Sequence, residues 1–219
     1  MKISMLSAIA SLTLLAGAGL AMPVQAATVD FTGAGAANYD DVSQGYGDSA
    51  EADIGYRTLN GGNNWGQFAT QTADHAEYWA VTNYSGDNAI FAVSNGNKLE
   101  VSLLAGAGLG FTSVSFDLGG YPNIDKTTAF RLYDAGWNLL LSDDTFAISA
   151  TTGGLITLAV NTTALYFQMG DDWNTGVRSL SFQTAAVATT PIPAALPLFL
   201  SALGALGFAA RRRKAAASV

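Results

Sequence analysis

Between Glu77 and Gln183 the chain breaks repeatedly into short runs of Val, Ile, Phe, Tyr and Thr, each closed by Gly or Asn. Runs of five to eight residues are too short for stable helices but the right length for strands. Nine stand out: Tyr78–Asn83, Ala89–Val93, Lys98–Leu104, Phe111–Leu118, Ala129–Tyr133, Thr145–Ser149, Leu155–Val160, Ala164–Met169 and Val177–Gln183. Several alternate with period two. Val114, Phe116 and Leu118 fall on one face, with Ser113, Ser115 and Asp117 on the other, and Leu165, Phe167 and Met169 oppose Tyr166 and Gln168. That is the pattern of a sheet with one dry side and one wet side. Ser94-Asn95-Gly96-Asn97, Asp134-Ala135-Gly136 and Thr152-Gly153-Gly154 supply hairpin turns. The expected fold is all-β: an antiparallel β-sandwich, jelly-roll-like.

The stretch Thr28–Gln71 is rich in Gly, Asn, Asp and Ala and reads as long loops with a few short strands, punctuated by Gly61-Gly62-Asn63-Asn64. Ala73–Ala80 has room for one or two helical turns. Leu-Leu-Ala-Gly-Ala-Gly-Leu occurs twice, at Leu14–Leu20 and Leu103–Leu109. The second copy lies between two strand patterns and reads as low complexity rather than as a repeat unit. The chain has no cysteine. Disulfides, thiolate zinc sites and cysteine nucleophiles are thereby excluded together.

The two ends differ from the middle. Lys2, the apolar run Leu6 to Ala21 and the small-x-small triplet Val24-Gln25-Ala26 have the layout of a signal peptide, residues 1–26. Signal peptidase is expected to cut after Ala26, with Ala27 as the alternative. Toward the other end, Thr190-Pro191-Ile192-Pro193-Ala194 leads into an uncharged run of 17 residues, 194–210, and then Arg211-Arg212-Arg213-Lys214. As a helix that run covers roughly 26 Å, close to the hydrocarbon thickness of a bilayer. The four cations resist transfer, so 211–219 is expected to be a basic cytoplasmic end and everything before Thr190 to face the opposite side of the inner membrane. The ectodomain, 27–189, holds all 17 carboxylates against five cations (Arg57, Lys98, Lys126, Arg131 and Arg178), a net charge of −12. Such a surface repels phosphate backbones, so nucleic acid is not a partner.

The order of proline motif, hydrophobic span and arginine cluster in 190–214 resembles the VPLPA-CTERM variety of the PEP-CTERM protein-sorting signals of Gram-negative bacteria. Both prolines and Ala194 are kept, while Thr190 and Ile192 stand where Val and Leu are usual. The resemblance implies an exosortase as partner, a membrane-embedded cysteine transpeptidase-like enzyme that cleaves near the motif. It further implies delivery from an inner-membrane precursor facing the periplasm to the cell surface or extracellular matrix. The segment Ser113–Gln183 is similar to ectodomains found with such tails, which look like carbohydrate-binding-module jelly rolls. It carries Arg178-Ser179 where those often have Asp-Asn in the closing strand.

Residues able to do chemistry are few. His75 is the only histidine, and no Gly-x-Ser-x-Gly, His-Glu-x-x-His or Ser-x-x-Lys arrangement accompanies it. No pair among the carboxylates is singled out for glycoside hydrolysis. Asp40, Asp41, Asp48, Glu51 and Asp53 cluster in a Gly-rich stretch, and Asp171-Asp172-Trp173-Asn174 offers Asp171, Asp172 and Asn174 as oxygen ligands for a structural calcium. Ordinary Asx turns account for the same residues, and no cofactor is expected. Trp65, in a Gly/Asn-rich loop, and Trp173, between Asp172 and Asn174, are the rings expected to be exposed for stacking on a sugar. The expected function is that of an exported, non-enzymatic cell-surface or extracellular-matrix protein, with extracellular polysaccharide as a further partner. The alternatives are a surface carbohydrate-binding module and, last, a glycosidase or other hydrolase.

Overall fold

The computed structural model describes residues 24–62, 64–94, 96–170 and 174–187. In chain order the strands are β1 (Gln25–Asp30), β2 (Asp40–Asp41), β3 (Ala52–Leu59), β4 (Gln71–Ala73), β5 (Glu77–Tyr84), β6 (Asp87–Phe91), β7 (Lys98–Ala105), β8 (Leu109–Gly120), β9 (Lys126–Asp134), β10 (Leu139–Ile148), β11 (Gly154–Thr162), β12 (Ala164–Met169) and β13 (Thr175–Ala186). Among the described residues the one helical piece is a 3-10 turn at Gly66–Phe68, and no helix is long and apolar enough to cross a membrane.

Two antiparallel sheets form. One runs β11-β8-β13-β6-β5-β2, with β1 also paired to β13, and the other runs β10-β9-β12-β7-β3-β4. Their apolar faces close on each other: Val114, Phe116, Leu180 and Phe182 from the first meet Val101, Leu103, Leu165 and Phe167 from the second in one core. The Phe116 and Phe167 rings stack across the interface at 4.0 Å and 12°. The fold is therefore an all-β sandwich, and each alternating run puts its apolar set inside because a sheet has only two faces.

All nine expected strands are present: β5, β8 and β11 run a residue or two longer at both ends, β12 matches its expected bounds, and β6 is displaced two residues toward the N-terminus. β10 differs most, reaching back to Leu139 instead of Thr145. It is an edge strand carrying Asp143 and Asp144 and two register shifts. Charges and bulges guard an edge against unwanted pairing and at the same time erase the alternation that marks a strand. Ala73–Ala80 is not helical: it holds the end of β4 and the start of β5. The region expected to be mostly loop contributes β3, eight residues paired between β7 and the edge strand β4 of the second sheet, with Ala52, Ile54 and Tyr56 buried.

Leu103–Leu109 is where the chain crosses from one sheet to the other, β7 to β8. The Gly106 N–H donates to Glu51 O, and a Cβ at Gly106 would lie 2.3 Å from Ala50 O, so only glycine fits. The same end of the sandwich holds both chain ends of the domain. β1 and β13 are antiparallel partners, with Gln25 opposite Thr184 and Ala26 opposite Gln183, and Val187 N donates to Gly108 O. Gln25 and Val187, near the two ends of the described domain, thus lie at the same end of the sandwich. Residues 1–23 of the expected signal peptide, Trp173 with Asp171 and Asp172, the motif 190–194, the span 194–210 and the stop 211–214 lie outside the described residues.

Candidate functional site on the outer face of the six-stranded sheet

With Val101, Leu103, Leu132, Leu165 and Phe167 turned inward, their neighbours on β3, β7, β12 and β9 must point out. Strand register sets them in rows. One row reads Arg57, Glu100, Gln168, Arg131 and the next reads Gly55, Ser102, Tyr166, Tyr133.

The first row is polar yet covered. The Glu100 side chain is 2% exposed and accepts hydrogen bonds from Arg57 Nε and, at 2.6 Å, from Gln168 Nε2. Gln168 is fully buried. Its Oε1 accepts from Gly66 N at 2.7 Å and its Nε2 donates to Gly66 O at 3.2 Å. The 60–70 loop is thereby clamped onto the sheet. Trp65, just before Gly66, lies half-buried with Lys98 Nζ 4.8 Å and Arg131 Cζ 4.9 Å from its ring centre. Lys98 is buried and donates to Asn60 O and Gly62 O, and Arg131 pairs with Asp144. Trp65 is thus flanked by two cations while keeping the same intermediate exposure as Trp137 and Tyr166.

The second row is half-exposed at Gly55, Ser102 and Tyr166 and buried at Tyr133. Gly55 leaves a depression of about 300 Å³ lined by Gln44, Gly55, Arg57, Gln71, Asp74 and Ser102. A Cβ on Gly55 would stand 2.6 Å from Ser102 Oγ and close this depression. Across the row, Tyr166 stacks face to face on Trp137 at 4.1 Å and 10°, with Tyr133 tilted against Trp137 at 5.7 Å. Tyr166 and Trp137 are half-exposed. Burial raises the Tyr133 phenol above its ordinary range, against the pull of Arg131.

The turn that carries Trp137 is tightly built. The Asp134 carboxylate accepts from Gly136 N at 2.8 Å, from Asn138 N at 2.9 Å and from Asn138 Nδ2, while Trp137 N donates to Asp134 O at 3.0 Å. The Asn138 bonds, side chain first, hold the exposed Asp134 carboxyl below its usual value. Trp137 itself sits at φ 61°, which for a bulky L-residue costs on the order of 1–2 kcal/mol. Gly136, next to it, is the residue that could have taken such a conformation without strain.

The other expected residues are placed apart from this face or engaged locally. His75 Nε2 and Nδ1 face the Asp41 and Asp74 carboxylates at 3.2 and 3.3 Å. Asp40 caps Ala36 N and Ala37 N, and Asp48 accepts from Ile54 N. The acidic cluster of the sequence is thus spread over separate turns, and among the described residues no group of three or more His, Cys, Asp or Glu is placed to hold a metal ion. Asn174 O accepts from Tyr121 N. Ala26 and Ala27 lie in β1, Ala26 outward and Ala27 against the core.

Tyr166 was within reach of sequence reasoning, since it occupies a wet-side position of its strand, and Tyr133 sits on the same side of its own strand but is buried beneath Trp137 and Gly66. Trp137 was out of reach, because only the fold lays it on Tyr166. No family model and no curated protein matches this chain.

Proposed function

We propose that this chain is an exported, non-enzymatic cell-surface or extracellular-matrix protein. In this reading the sandwich is jelly-roll-like, signal peptidase removes 1–26, residues 194–210 span the inner membrane, and an exosortase acts at Thr190–Ala194. The observation that carries the reading is the pairing of β1 with β13, of which Ala27–Asp30 opposite Phe182–Ser179 remain once Gln25 and Ala26 are removed, so that the start and the end of the folded domain lie side by side. Six residues separate Val187 from Ala194, seven Cα–Cα steps that span no more than about 25 Å of extended chain. A domain so attached stands next to the membrane that holds its tail, with the processing motif between them. The non-enzymatic part is supported by where the ionisable groups are used: Arg57 with Glu100, Arg178 with Asp117, and Asp134 inside its own turn.

Intact-mass analysis of the protein from cells with and without the sorting enzyme tests this reading. Loss of 1–26 in both strains, with the C-terminal end trimmed only where the enzyme is present, is the expected result. A mass that still includes residues 195–219 in both strains overturns it.

A further inference from the structure

We propose that Trp137 and Tyr166, backed by the buried Tyr133, together with the depression at Gly55 and Ser102, form a binding groove for a neutral polysaccharide. The proposal develops the carbohydrate-binding reading of the sequence on residues other than Trp65 and Trp173, and it stands whether or not the tail is processed.

Three independent features meet on the row. Trp137 and Tyr166 form a half-exposed stacked pair on the outer face, where neither ring fills the core. Flat rings presented this way match the C–H faces of sugar rings. Trp137 adopts a left-handed backbone conformation that its own side chain disfavours, and several hydrogen bonds onto Asp134 enforce it. Backbone strain of this kind clusters at ligand-contacting positions, and unlike Tyr39, which is strained but packs on Trp79 and Phe91, Trp137 belongs to the outer aromatic pair. The same row ends in a polar depression lined by Gln71, Asp74 and Ser102, where Ser102 Oγ donates to Gly55 O and keeps lone pairs for ligand hydroxyl groups, and where Gln44 is held in place by Tyr56 and Asp74.

The row extends over four strands, about 14 Å from β3 to β9, longer than a single sugar ring. A polymer segment therefore fits better than a monosaccharide. Charge narrows the class further. The segment 27–189 carries −12, and Asp74 lines the depression while the guanidinium of Arg57 is already matched by Glu100. Polyuronates and other anionic chains are repelled, so a neutral polymer is selected. The same balance disfavours an anionic membrane as the partner of the rings, although the Trp137 turn lies at the end of the sandwich where β13 terminates: Ala135 N donates to Thr162 Oγ1, and Thr162 pairs with Phe111, itself opposite Thr184.

The test is affinity electrophoresis of the full chain in a sugar-free polyoxyethylene detergent, through gels containing hydroxyethyl cellulose, galactomannan or polygalacturonate. Retardation by at least one of the two neutral polymers and none by polygalacturonate is expected. Trp137→Gly should lower the apparent affinity about tenfold or more, because glycine keeps the turn and removes the ring. Tyr166→Ala should weaken binding similarly, and Phe68→Ala, which removes a ring that is 80% exposed but off the row, should leave it unchanged. A circular dichroism spectrum and melting temperature close to wild type show that each variant is folded. The proposal is overturned if neither neutral polymer retards the protein, or if Trp137→Gly and Tyr166→Ala bind as wild type does. It is also overturned if the rings instead govern pelleting with phosphatidylethanolamine/phosphatidylglycerol vesicles in the absence of any polysaccharide retention.

Discussion

Across β3, β7, β12 and β9 the outer face carries Arg57, Glu100, Gln168 and Arg131 in one row. Across β1, β13, β8 and β11 of the other sheet the corresponding row is Thr28, Ser181, Ser115 and Thr157. Both rows lie on wet-side positions of well-formed strands. The first is roofed by the 60–70 loop and contains a buried carboxylate whose partners are all specified. In the second, Ser115 and Thr157 share a 3.0 Å hydrogen bond on an open surface, next to the small side chains of Ala26 and Ser113. A buried charge tolerates no vacancy among its partners, whereas an exposed hydroxyl exchanges its neighbour for water at little cost. The two faces should therefore respond very differently to equally small changes.

The largest effect is expected for Arg57→Ala. It leaves the Glu100 carboxylate buried with Gln168 as its remaining described partner, and should remove about 3 kcal/mol of stability in urea unfolding at pH 7. A change under 1 kcal/mol would mean that the row is hydrated and that the contrast between the faces fails. Gln168→Leu comes next. It strands the N–H and C=O of Gly66 and should cost about 1–3 kcal/mol, with a shift in Trp65 fluorescence as the loop lifts from the sheet. Ser115→Ala and Thr157→Ala should each stay within about 0.5 kcal/mol of wild type. A larger loss from either would show the hydroxyl row to be structurally committed as well.

The smallest effect is local and concerns pH. The Asp134 carboxyl is held below its ordinary value of 3.8 in the folded protein, so the bonds it makes are fully formed above that value and are lost as pH falls through the lower folded value. Near-ultraviolet dichroism from the Trp137–Tyr166 stack should stay constant from neutral pH down to about 4 and change only below it. A change centred near pH 6 would show that another group governs the turn.

How much of this could be read in advance depended on the pattern each element left in the chain. β8 and β12 were legible because one face is core and the other is not, so Val114, Phe116 and Leu118 or Leu165, Phe167 and Met169 recur every second residue. β3 was obscured by Gly55 and by Arg57, the two residues its outer face needs for the depression and the buried pair. β10 was shortened in the reading because an edge strand is protected by the charges and bulges that break alternation. Trp65 was expected to be exposed since Gly and Asn surround it. Its setting depends on Lys98 and Arg131, which lie 33 and 66 positions further along the chain.

The sequence by itself determined that this chain would be an all-β sandwich, since period-two apolarity leaves a strand only one face to bury and the absence of cysteine leaves the core as the means of holding it. It also determined that the segment 27–189 would be strongly acidic. Tertiary structure alone decided which side chains meet on the outer face: that Gln168 reaches back to Gly66, that Trp137 lies on Tyr166, and that β1 begins beside the end of β13. Register between strands distant in sequence sets those neighbours, and register is fixed by packing of the whole core rather than by any one segment.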